Sequence, residues 1–180
     1  MLLPDRLERI EGERVYLRPL DEKDATGRYV HWLNDEEVNK FLETREASKE
    51  DLQKYIQQKN ESDESLFLGI FWKENNEHIG NVKLEPIDFN EKKATLGILI
   101  GEKEYWGKGI ATEVTELLTA FAFEHLGLEE VNLGVISENN AAIRVYEKCG
   151  FEVYCVDPDA LIHGDKKYDQ IWMRKLKNNI

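Results

Sequence analysis

The sequence predicts an α+β domain: one mixed, mostly antiparallel central sheet flanked by helices, with residues 1–180 forming a single domain. Three observations point there. Period-two alternation, the mark of a half-buried strand, occurs near both ends of the chain. Three β-rich stretches follow one another between Leu66 and Ile100 with short polar loops between them. Apolar residues three and four apart, the mark of a helix, are confined to the segments outside these. No repeat, low-complexity tract or Pro/Ser-rich linker divides the chain, and 41% hydrophobic content with 10% aromatics suffices for one core.

Taken in order, Glu13 to Leu20 alternates charged and apolar residues until Pro19 stops it, a first strand. Asp21 precedes Ala25, Tyr29, Trp32 and Leu33 at helical spacing, with Asp24 as an acidic first-turn residue, which predicts a helix. Val38, Phe41 and Leu42 suggest a second, short helix. Ser48 to Asp51 opens a third, whose apolar face includes Leu52, Tyr55 and Ile56. Leu66 to Lys73 and His78 to Glu85 read as strands across the polar loop Glu74 to Glu77, and Ala94 to Ile100 as their antiparallel neighbour. Beyond Gly101, Ile110, Val114, Leu117, Leu118, Phe121 and Phe123 mark a long helix ended by Leu126 and Gly127. The remainder reads β-α-β-β: Glu130 to Ile136, Asn139 to Cys149 ended by Gly150, Phe151 to Val156, and Tyr168 to Leu176.

A net charge of −12 and an isoelectric point near 4.9 oppose attraction to nucleic-acid phosphates or anionic membranes, so direct nucleic-acid binding is not expected. The longest apolar runs, such as Leu66 to Trp72, fall far short of the roughly 20 residues of a membrane-spanning helix. Met1 to Arg6 lacks the basic region, apolar stretch and cleavage site of a secretory signal, which makes the cytoplasm the expected location. Cys149 and Cys155 are too few for a disulfide framework or a zinc site and read as reduced thiols. His31, His78, His125 and His163 show no metal-ligand spacing, and no bound metal is expected.

Chemistry enters at Tyr105 to Glu113, where two glycines sit between a strand and a helix. Glycine lets a ligand approach the backbone. The first N–H groups of a helix lack internal partners and carry the positive end of its dipole, so an anion placed there meets converging donors. Two other phosphate motifs do not fit. A nucleotide-triphosphate loop needs four residues between its glycines and Ser or Thr after its lysine, whereas five separate Gly101 from Gly107 and Gly109 follows Lys108. A dinucleotide fingerprint begun at Gly107 and Gly109 needs glycine where Thr112 stands, and the preceding sheet reads antiparallel. On this turn alone, a plain tight turn and a ligand site are equally good readings.

A second segment decides between them: Asn139 to Phe151 opens a helix after a strand and closes it on Gly150-Phe151. Trp106 to Glu113 resembles the acyl-CoA pyrophosphate loop of the GNAT superfamily of N-acyltransferases. Asn139 to Phe151 is similar to its second cofactor motif, with Asn139, Ala142, Tyr146, Gly150 and Phe151 matching. Order and separation match too, and with Arg14 to Leu20 the resemblance extends over nearly the whole chain. The family motif often opens on Gln or Arg where this chain has Trp106. The branch resembled, with its ribosomal-protein N-terminal, spermidine and amino-sugar acetyltransferases, frequently has an aromatic there.

The resemblance implies a GNAT-like sheet and an acetyl-CoA-dependent N-acetyltransferase that acts on a primary amine by direct attack in a ternary complex. It implies that Leu96 to Ile100 splays from the following strand, leaving backbone N–H groups near Leu99 or Ile100 to polarise the thioester carbonyl. Trp106, Gly107, Lys108, Gly109, Ile110, Ala111 and Thr112 would cradle the cofactor, with Asn139, Ala142 and Tyr146 completing the set. Tyr146 would also be the general acid, since a phenol near pKa 10 is protonated at neutral pH and can reprotonate a thiolate. Many relatives carry a glutamate where Thr95 stands. Glu85 acting through water and Ser137 are the substitutes as base, against their plainer roles as a solvated strand charge and loop punctuation.

Three acceptors fit the resemblance: a protein N terminus, a small amine such as a polyamine, or an amino sugar on a nucleotide. Asn34 to Glu37 and Glu43 could attract a cationic amine, though dipole compensation explains an acidic helix start equally well. Trp32 and Trp72 could line a pocket, though aromatics at amphipathic positions usually belong to the core. Arg45 and Lys49 could meet nucleotide phosphates. A homodimer is expected from the family alone. The rival reading is a non-catalytic acyl-CoA-binding regulatory module, motivated by Thr95.

Overall fold

Side chains of a strand alternate between two faces, and here both faces of one sheet are covered. The computed structural model describes residues 7–42, 47–163 and 166–177. Glu43 and Arg45, named above for acceptor contacts, lie outside them. In chain order the elements are β1 (Ile10–Glu11), β2 (Val15–Pro19), α1 (Gly27–Asn34), α2 (Glu36–Asn39), α3 (Lys49–Asn60), β3 (Leu66–Trp72), β4 (Glu77–Asp88), β5 (Lys93–Ile100), α4 (Ile110–Glu124), β6 (Glu130–Ile136), α5 (Asn140–Lys148), β7 (Glu152–His163) and β8 (Lys166–Leu176). The eight strands lie in the order β1-β2-β3-β4-β5-β6-β8-β7. Among the described residues β5–β6 alone is a parallel pairing. This is the expected mixed, mostly antiparallel α+β sheet.

One face, carrying Leu17, Leu68, Val82, Leu84 and Leu96, buries these against Ile110, Val114 and Leu118 of α4. The other, carrying Tyr16, Phe67 and Phe71, packs against Tyr29, Trp32 and Leu33 of α1 and Leu52 and Ile56 of α3. α4 and α5 share one face and are tied where the Cys149 thiol donates to the Thr112 carbonyl at 3.6 Å. Among the described residues no helix is long and apolar enough to cross a membrane.

The helix expected from Asp21 is two pieces. Asp21 and Asp24 close a capping box on a single 3-10 turn at Glu22–Asp24, and a new helix then starts with Thr26 as its own N-cap. β7 runs on to His163, past the expected end at Val156. Its pairing with β8 shifts register between Val153 and Cys155 and again between Asp157 and Leu161, so Pro158 and Asp159, at φ 53°, are absorbed in a bulge. A proline in a strand is tolerated where the edge is unpaired, and β7 is such an edge.

Candidate active site

The site begins where the sheet parts. β5 and β6 pair at Lys93–Glu130, Ala94–Val131 and Thr95–Asn132, after which they part from each other, β5 running on beside β4 to Ile100 and β6 beside β8 to Ile136. This is the expected splay. Backbone groups point alternately to the two edges of a strand. On the β6 side the Lys92 carbonyl accepts from Glu129 and Glu130 N–H (2.7 and 3.1 Å), and on the β4 side Gly101 N–H donates to Ile79 (2.9 Å). Ile98 and Ile100 therefore turn their N–H groups into the notch, whereas Leu99 turns its own toward Asn81 of β4. Of the two candidates Leu99 and Ile100, Ile100 turns its backbone N–H into the notch, as does Ile98, while Leu99 lines the cleft.

From Ile100 the chain turns into the glycine loop, which is held from outside. Trp106 donates Nε1–H to the Ile100 carbonyl (2.8 Å), and Lys108 offers its carbonyl to Arg14 Nη1 (2.5 Å). Glu113, in the first turn of α4, accepts from Arg14 Nε (2.9 Å) and from the Arg14 and Val15 backbone N–H groups (2.8 and 3.2 Å). Burial acts to raise the Glu113 pKa, but these donors outweigh it, so the carboxyl sits below its usual range. Gly107 and Gly109 adopt φ of 71° and 79°, a region that only glycine occupies without strain. Gly109 is the N-cap of α4 and brings no side chain to cap it, and the first helical bond starts at Glu113 N–H to the Gly109 carbonyl (3.1 Å). The earlier N–H groups, at Ile110, Ala111 and Thr112, have no acceptor within the helix. Trp106, Gly107, Lys108 and Gly109 are exposed and Ala111 and Thr112 half-buried, while the Ile110 side chain is core.

A cleft of about 580 Å³ extends from the notch across the α1–α3 face of the sheet. Asn139, Ala142 and Tyr146 stand at its β6 end. Asn139 caps α5, its Oδ1 accepting from Ala142 N–H at 3.2 Å. Tyr146 is 7% exposed, and burial pushes its phenol up to about 12. Thr95 donates Oγ1–H to Asn132 Oδ1 (2.8 Å) on the cleft floor. Glu85 also lines the cleft. Burial acts to raise its pKa, but hydrogen bonds from Lys59 and Lys83 prevail, and the carboxylate is held below its usual range. That makes it a poor direct base.

Other sequence candidates fall elsewhere. Asp35 caps α2 and joins Glu37 in an ion pair with Lys103 (2.9 and 2.6 Å), so the acidic run is committed to structure. Trp32 is core and donates to Glu102 (2.9 Å), and Trp72 packs on Tyr105, with ring centroids 5.2 Å apart. The tryptophan at the cleft is Trp172 of β8, beside Gln170. Ser137 donates its backbone N–H to Asp169 (3.0 Å) and is not part of the cleft lining. Lys49 is exposed at the start of α3. Among the described residues no group of three or more His, Cys, Asp or Glu is arranged to hold a metal.

Residues 14–152 match the family model described as "Acetyltransferase (GNAT) domain". The chain belongs to the GNAT acetyltransferase family. With the family comes the class of enzyme, an acetyl-CoA-dependent acetyltransferase. The chain is 31% identical over 172 residues to "Probable N-acetyltransferase YjcK" of Bacillus subtilis (strain 168), covering 91% of each. It is 36% identical over 142 residues to the spermidine N(1)-acetyltransferase of Escherichia coli (strain K12), covering 77% of this chain and 73% of that one. Its fold matches a crystal structure of spermidine N-acetyltransferase from Vibrio cholerae in complex with CoA and spermine, with a TM-score of 0.82 at 24% identity, covering 91% and 95%.

Sequence reasoning missed Arg14, Asn81, Lys83, Gln170 and Trp172 of this GNAT domain. Arg14 and Glu113 lie 99 positions apart, and only pairing of the sheet brings them together. Asn81 carried one readable signal, a polar residue inside the β-rich run His78 to Glu85.

Proposed function

We propose that this enzyme transfers acetyl from acetyl-CoA to a primary amine by direct attack within a ternary complex. The reading rests on one observation: the β5–β6 notch opens on one side to the uncapped start of α4 and on the other to a cleft reaching α1 and α3. The N–H groups of Ile110, Ala111 and Thr112, with Gly107, Gly109 and the exposed Trp106 and Lys108, would receive the diphosphate. Ile98 and Ile100 N–H would face the thioester carbonyl, where fixed donors stabilise a developing oxyanion. Asn139 and Ala142 would border the pantetheine arm. Tyr146 would protonate the departing thiolate, burial keeping the phenol in its protonated form at neutral pH.

Initial-velocity kinetics with labelled acetyl-CoA and a panel of peptide, polyamine and amino-sugar acceptors test the proposal. Intersecting reciprocal plots are expected, whereas parallel plots would mean an acetylated enzyme and sink direct attack. Two observations favour a second reading, a non-catalytic acyl-CoA-binding module: Thr95 stands where the resemblance places a glutamate in many relatives, and Glu85 is paired with two lysines. Tight acetyl-CoA binding with no turnover on any amine would select it. A homodimer and a cytoplasmic location complete the proposal, the first checked by sedimentation.

A further inference from the structure

Donors and acceptors do not balance in the cleft. Among the described residues two carboxylates line it, and both are committed within the protein. Asp51 closes the capping box of α3, accepting from Ser48 N–H and Oγ–H at 2.9 and 2.7 Å, and Glu85 lies between Lys59 and Lys83. A donor is left over. Asn81 stands in the cleft wall at 4% exposure, its Oδ1 held by His78 Nε2 at 2.8 Å, while its Nδ2 has no hydrogen-bond partner among the described residues. His78 is itself fixed between the rings of Phe71 and Trp32, at 4.9 and 5.0 Å, so the amide is held in one direction. Two residues along the same face of β4, the Lys83 ammonium bonds Glu85 at 3.0 Å and is committed in the same way. A buried amide donor left without an acceptor is destabilising, and a ligand oxygen would satisfy it. Among the described residues a cationic chain would meet no carboxylate outside these pairs, and a polyamine offers no oxygen to the amide.

Building on the acetyl-transfer reading above, we propose that the acceptor carries a carbonyl or carboxylate oxygen next to its amine, as in an amino acid, its amide or the first residue of a peptide, and is not a polyamine. Asn81 Nδ2 receives that oxygen, which makes Asn81 a specificity-determining residue. The full chain is assayed with acetyl-CoA on alanine amide, on isopropylamine, which lacks the oxygen, and on spermidine. Rates are compared per concentration of neutral amine, so that differing amine pKa values cancel. Alanine amide should exceed both others in kcat/KM by about ten-fold or more, because a site built to bond an oxygen discriminates against its absence. Asn81→Leu should erase the gap between alanine amide and isopropylamine, and Asn81→Asp, which keeps the shape but replaces the donor by a carboxylate, should shift preference toward spermidine. If neither variant folds, the wild-type ranking decides. Spermidine favoured by the wild type, or an equal loss on both small amines in Asn81→Leu, overturns the proposal and leaves acetyl transfer standing. Bound acetyl-CoA with none of the three amines acetylated but an amino sugar turned over overturns the proposal alone, whereas no turnover on any amine of the wider panel overturns acetyl transfer itself.

Discussion

Tyr146 works through its surroundings. The ring packs 6.0 Å from that of Phe151, and burial raises the phenol pKa to about 12, so the group stays protonated at neutral pH. Tyr146→Phe keeps the ring and removes the proton, and kcat should fall about 10²-fold or more while KM for acetyl-CoA changes little. In the wild type kcat/KM should climb with pH until the acceptor amine has lost its proton, near 8 for an α-amine and near 10 for an alkyl amine. No fall assignable to Tyr146 should follow. An alkaline fall present in the wild type and absent in Tyr146→Phe would mean that the phenol ionises far below 12. Tyr146 was legible in the sequence because its helix carries a recognisable pattern, whereas Asn81 was not, since its significance lies in an unmade hydrogen bond that only coordinates display.

At the scale of elements, the glycine loop and α4 form one device. Arg14, just ahead of β2, bonds both the Lys108 carbonyl of the loop and Glu113 of α4, and Gly107 and Gly109 take positive φ. A methyl group at Gly109 would sit 3.4 Å from Arg14 Nη2, and alanine would have to hold the left-handed conformation already present there, at a cost of about 1–2 kcal/mol. Gly109→Ala should therefore weaken acetyl-CoA binding by about five- to thirty-fold, with a smaller effect on kcat, as read by calorimetry and saturation kinetics. Unchanged affinity would separate this loop from the ligand. Elements bounded by strong local chemistry were readable in advance, such as α3 behind its Ser48 cap and α4 from Ile110. Two were not. The 3-10 turn at Glu22–Asp24 satisfies its own capping box before α1 begins, and β7 crosses Pro158 through a bulge that its edge position permits.

The whole molecule assembles the site from distant stretches of chain. β8 pairs with β6 and sets Gln170 and Trp172 beside Ile136 and Gly134, while α1 and α3 close the far side. The sheet order β5-β6-β8-β7 that creates this neighbourhood is a long-range property, which is why the cofactor half of the site was legible from two local motifs and the acceptor half was not. A ligand bound by the native state at about a hundred times its Kd adds about 2.7 kcal/mol, so saturating acetyl-CoA should raise the Tm by about 5–10 °C for a chain of this size. The parted strands carry one more consequence: the molecule is a sheet short of one strand, and an amide-bearing thiol arm has the shape to stand in for it. Deuterium uptake at Ile98 and Ile100 should then be fast in the free enzyme and slow sharply once the donor substrate slots in, stiffening the centre of the fold only while chemistry is under way.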